Sequence, residues 1–215
     1  TYRCPVFVMT DEIVGHLMEG LAIPKPEDIH LVDRKKATTS PSQYLPFRAG
    51  EDLVPEMATF GEGYRFYATG LTHDETGHPQ TDSAEEHAKL VQRLCDKIRK
   101  NTKNITRVER VFLDDADTCI IAYGSVARSA LSAAVEGREK GLKVGLLRLI
   151  TIWPFPDEVV EQVAGQVDKI LVPEMNYGQL VREVERIAGR KKVESLPKLG
   201  DALHTPEEIL ARALS

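Results

Sequence analysis

Two imidazoles and two carboxylates crowd into six consecutive positions, His73, Asp74, Glu75, Thr76, Gly77 and His78. Both histidines with one carboxylate would make a conceivable metal centre. The other readings are a structured polar loop at an interface or active-site edge, and a merely solvated turn. Thr76-Gly77 could close a short hairpin that brings the two rings across from each other. Structural zinc sites usually add further ligands at tight spacing, and none stands nearby. The reading taken is therefore a polar interface or active-site-edge loop of Thr72, His73, Asp74, Glu75 and His78, with no metal.

A second set of polar residues falls where strands of an open α/β sheet would end, the usual place for ligands. Tyr123-Gly124-Ser125-Val126 puts Ser125 at a helix N-terminus, where either an anion or plain capping would be served. Pro173 to Gln179 gathers Glu174, Asn176 and Gln179 at a strand end, either a ligand-facing polar loop or plain satisfied loop polars. Thr151 to Pro156 holds the only Trp, Trp153, among prolines and Phe155, and reads as a contact surface. His16, His30, His87 and His204 lack a carboxylate arrangement and are read as structural or surface groups. There is no GxSxG and no Cys–His pairing, which argues against a nucleophilic hydrolase.

The elements that would carry these groups are legible to different degrees. Tyr64 to Thr69 alternates like a strand, with Tyr64, Phe66 and Ala68 on one side. Ser83 to Lys100 predicts a helix, with a Ser83/Glu86 capping box and an apolar stripe of Ala88, Val91, Leu94 or Cys95, and Ile98. From about Val108, apolar strands at Cys119–Tyr123, Val144–Ile150 and Lys169–Val172 alternate with helices at Val126–Lys140, Asp157–Val167 and Tyr177–Ala188. A short strand at Val193–Leu196 and a helix capped by Thr205, Pro206 and Glu208 follow. Strands apolar on both faces and separated by helices argue a parallel sheet covered on both sides.

The first hundred residues are less regular. Pro5 to Met9 reads as a buried strand, then Thr10-Asp11 as a cap for a helix with Ile13, Val14, Leu17 and Met18 on one face. A lone strand and helix behind a non-Met first residue suggest the last unit of a domain whose beginning is absent. Leu21 to about Gly63, broken by prolines at 24, 26, 41, 46 and 55, reads as an extended connection crossing a partner.

A net charge of −5 gives no support for a nucleic-acid partner, which would want a basic face. No apolar run approaches the roughly 20 residues of a membrane span, so a cytoplasmic protein is expected. Cys4, Cys95 and Cys119 are odd in number and far apart, and are read as free buried thiols in a reducing cytoplasm. Three cysteines also fall short of the four that a cubane iron–sulfur cluster normally takes.

Taken in order, PVFVMTDEIVGH at 5–16, Tyr44-Leu45-Pro46-Phe47, Val54-Pro55-Glu56-Met57, TGLTHDETGHP at 69–79, AYGSVARSA at 122–130, Trp153-Pro154-Phe155-Pro156 and VPEMNYGQL at 172–180 resemble one family. It is the α subunit of 2-oxoacid:ferredoxin oxidoreductases, most like the 2-oxoglutarate synthase type. The resemblance implies the tail of a thiamine-pyrimidine domain at 1–21, a connecting segment with hairpin and helix at 22–107, and an α/β transketolase C-terminal-like domain at 108–215. It implies a hetero-oligomer in which a β subunit carries thiamine diphosphate and Mg, with an iron–sulfur cluster in the holoenzyme and none of these held by this chain alone. A 2-oxo acid would be oxidatively decarboxylated to acyl-CoA, with ferredoxin taking the electrons. The chain has no GDG…N diphosphate signature, and the family's Tyr-Pro-Ile-Thr-Pro segment is not in it, so no catalytic residue carries over. Two alternatives are the E1 β-type half of an NAD-linked 2-oxoacid dehydrogenase and a non-catalytic docking module.

Overall fold

The computed structural model describes residues 1–200 and 202–215. They form two compact units, Thr1–Val8 with Glu19–Asn101, and Met9–Met18 with Thr102–Ser215.

The second unit is built on a five-stranded sheet: β1 (Val108–Val111), β2 (Thr118–Tyr123), β3 (Val144–Leu149), β4 (Lys169–Glu174) and β5 (Val193–Pro197), in the order β1-β3-β2-β4-β5. Neighbours among β2 to β5 run parallel, with Thr118 opposite Val144 on one side and Lys169 on the other. β1 is an antiparallel edge, Val108 opposite Leu149. Cys119 to Ala122 of the central strand are fully buried, because helices cover both faces. On one face lie α4 (Val126–Glu139) and α7 (Pro206–Leu214); on the other, α5 (Asp157–Gln166) and α6 (Leu180–Ala188). Small residues let α4 and α7 approach closely: a Cβ on Gly137 would lie 3.1 Å from Leu210 Cδ1. Of the three thiols expected to be buried only Cys119 is, Cys4 and Cys95 being exposed; burial pushes the Cys119 thiol up to about 12, so it stays protonated and inert.

The cap expected at Thr205 forms in full: Thr205 Oγ1 accepts from the Glu208 amide, and Glu208 accepts from the Thr205 amide. Beside it His204 is buried, with Nε2 on the Leu196 carbonyl oxygen at 2.9 Å. Nε2 is then the donor, and Nδ1 is a buried lone pair without a partner among the described residues. Burial holds the His204 pKa below its ordinary value. Below about pH 6.5 the unfolded chain therefore binds a proton that the folded chain resists. Unfolding stability should rise as pH climbs from the depressed folded value to about 6.5, then level off. Urea midpoints measured across that window should show this contribution in the wild type and lose it in His204→Leu.

Several expectations for the first hundred residues fail. Pro5 to Met9 forms no strand, and Val6, Phe7, Val8 and Met9 are three-quarters or more exposed. A strand needs a neighbour to take its N–H and C=O groups, and none is present among the described residues. The helix after Asp11, α1, spans only Glu12–His16, with Asp11 Oδ1 accepting from the Val14 amide at 2.8 Å. Tyr64 to Thr69 is extended but unladdered, although Tyr64 and Phe66 do share one side, both edge-on to the buried ring of Tyr44. That ring anchors the stretch expected to be a featureless connection: Tyr44 Oη donates to the Glu56 carbonyl and accepts from the Ala58 amide, each at 3.0 Å. Helix α2 (Ala84–Arg99) forms with Ser83 accepting from Glu86 N, but Glu86 turns its carboxylate to Lys89 instead of closing the box. Its faces are also reversed, since Val91 and Leu94 stay over 40% exposed while Lys97 is buried. A short helix, α3 (Thr102–Ile105), leads into the sheet. Among the described residues no helix is long and apolar enough to cross a membrane.

Candidate functional site

The His73–His78 run is a closed hairpin. Gln80 N donates to the Thr72 carbonyl at 2.8 Å and Asp74 N to the His78 carbonyl at 3.2 Å, with His73 opposite Pro79. Asp74 organises the turn: Oδ1 accepts from the Thr76 amide at 2.8 Å and from its hydroxyl at 2.5 Å, and Oδ2 from Gln80 Nε2 at 2.9 Å. These bonds, the Thr76 hydroxyl first, hold the carboxyl down at about 2. The turn needs Gly77, which has φ +88° and whose hypothetical Cβ would run into the Tyr67 carbonyl oxygen.

Because His73 pairs with Pro79, His78 falls one position out of register and the rings do not face each other across the hairpin. His73 lies against Phe47, centroids 4.0 Å apart, with Nδ1 on the Leu71 carbonyl oxygen at 2.8 Å. Its Nε2 is buried and has no partner among the described residues. His78 stacks on Tyr67 at 5.2 Å, with Nδ1 on Thr76 Oγ1 at 2.9 Å. Thr72 Oγ1 meets His87 Nδ1 at 2.8 Å, giving His87 a place in the loop that its sequence context did not suggest. Glu75 pairs with Arg48 at 2.9 Å, and its carbonyl accepts from Phe47 N. The site residues are thus gathered but individually tied down, and among the described residues no three His, Cys, Asp or Glu could share a metal.

The second candidate lies at the carboxyl edge of the sheet. β2 leads through α4 to β3 on one side, and β4 leads through α6 to β5 on the other, with those helices on opposite faces. The chain therefore diverges between neighbouring β2 and β4, the crevice where open α/β sheets hold ligands. Here that crevice is filled from within. Glu174 is completely buried, with Oε2 accepting from Leu180 N at 2.8 Å and Gln179 N at 3.3 Å, and Oε1 from Val181 N at 2.9 Å. Tyr123 Oη and Asn176 Nδ2 donate to the same Oε2 at 3.2 and 3.1 Å. Asn176 Oδ1 accepts from the amides of Gly178 and Gln179. The carboxylate thus supplies α6 with the partners its first amides lack, at the positive end of the helix dipole. Burial, then the Glu174 charge, push the Tyr123 phenol up to about 12.

At Ser125 an anionic group is present, but it belongs to the chain. Asp11 Oδ2 accepts from Ser125 N at 3.3 Å while Oδ1 caps α1, so one carboxylate serves two helix starts. Burial raises the Asp11 pKa, but the Ser125 hydroxyl and the Val14 and Ser125 amides outweigh it and hold it below the ordinary value. Trp153 and Tyr177 are mostly exposed, on the loops after β3 and β4. Both candidate regions are polar and, apart from the buried Nε2 of His73, tied by hydrogen bonds within the chain.

Two family models match the chain in succession: residues 1–93 match the thiamine-diphosphate-binding domain of pyruvate flavodoxin/ferredoxin oxidoreductase, and residues 116–209 match core domain II of pyruvate:ferredoxin oxidoreductase. The chain is 47% identical over 210 residues to the 2-oxoglutarate synthase subunit KorA of Methanothermobacter thermautotrophicus, covering 97% of this chain and 55% of the relative. Against the KorA subunit of Methanocaldococcus jannaschii it is 46% identical, with the same two coverages. A 2-oxoglutarate:ferredoxin oxidoreductase structure from Magnetococcus marinus superposes with a TM-score of 0.80 at 29% identity, over 88% of this chain and 33% of that one. The chain spans about half the length of the curated relatives it matches.

Proposed function

We propose, since the chain belongs to the 2-oxoacid:ferredoxin oxidoreductase family, that it is part of the α-type subunit of an enzyme converting 2-oxoglutarate to succinyl-CoA with reduction of ferredoxin. The substrate follows from the 2-oxoglutarate synthase relatives, against the more distant ketoisovalerate oxidoreductase subunit VorB at 28% identity. One observation carries the subunit reading. The apolar run Val6, Phe7, Val8, Met9 is open to water, as are Met18, Leu21, Ile23, Leu31 and Phe60. Large apolar side chains left so exposed are of the kind a partner covers.

Thiamine diphosphate supplies the carbanion and electron-sink chemistry of such a reaction. This chain's described residues do not fit its diphosphate-bound cation, for they offer no grouped carboxylates, nor a cluster-binding set of thiols. Mg and the iron–sulfur cluster belong, in this reading, to the partner subunit, which also meets ferredoxin and CoA. The contribution of this chain is shape: a hairpin held rigid by Asp74, whose His73, Glu75 and His78 meet the partner or the rim of the thiamine site.

The test is co-purification. Tagged chain, expressed with a candidate thiamine-binding subunit, should retain it in a complex that binds thiamine diphosphate. If the two separate on a sizing column at micromolar concentration, the subunit reading fails.

A further inference from the structure

Helix α2 buries a cationic face. Lys97 is 3% exposed, and its ammonium has one acceptor, the Arg3 carbonyl oxygen at 3.2 Å. Arg93 lies one turn earlier, at the spacing that puts two side chains on the same face of a helix. It is half-buried, and its guanidinium makes no hydrogen bond or ion pair among the described residues. Arg3 completes the group. Its Nη1 donates to the carbonyls of Pro46 at 2.5 Å and Glu56 at 3.1 Å, and its guanidinium carbon stands 5.1 Å from the centre of the Phe47 ring. None of the three pairs with a carboxylate among the described residues.

Such a cluster works against folding as it stands. Buried charge is tolerated when it is paired, and like charges in a low-dielectric setting repel. Burial lowers the affinity of all three groups for their protons; the charge of Arg3 adds to it at Arg93, and at Lys97 the charges of Arg93 and Arg3 add to it while Cys4 opposes. What would reverse the sign is an oxyanion, whose geometry matches a guanidinium fork.

We propose that Arg3, Arg93 and Lys97 form an oxyanion-binding site that takes a carboxylate or phosphate group. Arg93, the half-exposed member, is its entrance; Arg3 and Lys97 form its floor. The occupant is either a free phosphate-bearing molecule or an acidic side chain supplied by the assembled enzyme, and the two sources separate experimentally.

Arg93→Met keeps most of the apolar stem and removes the charge, while Arg93→Lys keeps the charge. Melting temperatures of the assembled protein would be read with increasing inorganic phosphate, using sodium chloride at matched ionic strength as control. An occupied site predicts that Arg93→Met lowers the melting temperature by about 2–4 °C and that Arg93→Lys recovers at least half of the loss. If phosphate raises the wild-type value above the chloride control, and Arg93→Met abolishes the rise, the source is a free anion. A fall in Arg93→Met without a phosphate response assigns the site to a protein carboxylate. The proposal is overturned if Arg93→Met raises the melting temperature, as simple relief of repulsion would, or leaves it unchanged without any phosphate response. It is equally overturned if Lys and Met lower it alike, since packing rather than charge would then be at stake.

Discussion

Replacing Glu174 by alanine is expected to destabilise the sheet-containing unit by about 3–5 kcal/mol. The side chain is completely buried, and five donors converge on it: three amides at the start of α6, the Tyr123 hydroxyl and the Asn176 amide. Alanine leaves the Leu180 and Val181 amides and the Tyr123 hydroxyl without that acceptor, while Gln179 N keeps Asn176 Oδ1 and Asn176 Nδ2 keeps Tyr123 Oη; it also opens a void between β2 and β4, and an unsatisfied buried donor costs about 1–3 kcal/mol. Glu174→Gln keeps the volume but loses the charge that complements the α6 dipole, so an intermediate loss of about 1–3 kcal/mol is expected. Urea midpoints at constant m-value would measure both. A loss below about 1 kcal/mol for Glu174→Ala would mean that the carboxylate does not brace the crevice.

Gly77→Ala should have the largest effect on the hairpin. A left-handed φ costs a non-glycine residue about 1–2 kcal/mol, and overpacking against the rigid Tyr67 carbonyl adds about 1–3 kcal/mol. The turn cannot close around that methyl group, so the bonds from Asp74 N to His78 and from Gln80 N to Thr72 should break. Amide hydrogen exchange would report it as lost protection at Asp74, Gly77 and Gln80, with His73 released from Phe47. If the hairpin forms an interface, partner affinity should weaken at least about tenfold. Gly70→Ala is the control, because nothing lies within 4 Å of its added methyl. Equal protection in Gly77→Ala and Gly70→Ala would contradict the turn's dependence on that glycine.

What could be read from residues alone followed burial. Cys119–Tyr123 is a continuous apolar run, and Val144–Ile150 and Lys169–Val172 are apolar but for Arg148 and Lys169, because both faces of the sheet are covered; strands form at Thr118–Tyr123, Val144–Leu149 and Lys169–Glu174. Val108–Val111 reads Val-Glu-Arg-Val, half polar as befits an edge, and nothing in it announces an antiparallel pairing with β3. Pro5–Met9 carries as strong an apolar signal as the central strands, yet hydrophobicity cannot supply the neighbour a strand requires. In α2 the apolar stripe is genuine but lies outward, while the helix turns Arg93 and Lys97 toward Arg3; a one-dimensional pattern names two faces without saying which is covered. Crowding at a strand end marked Glu174, Asn176 and Gln179 as a group, but not that Glu174 and Asn176 would accept from the backbone amides at 178–181. The second role of Asp11 could not be read, because Ser125 lies 114 positions away.

Turnover decides whether the functional reading holds. The chain, assembled with a thiamine-binding partner subunit and supplied with thiamine diphosphate, Mg and CoA, would be given 2-oxoglutarate, pyruvate or a branched 2-oxo acid. Viologen reduction and NADH formation would be followed side by side. The expected result is CoA-dependent viologen reduction with 2-oxoglutarate, absent from either subunit alone and unaccompanied by NADH. NADH formation without viologen reduction would place the chain with the NAD-linked dehydrogenases, and no reduction with any 2-oxo acid by the intact complex would contradict the assignment outright.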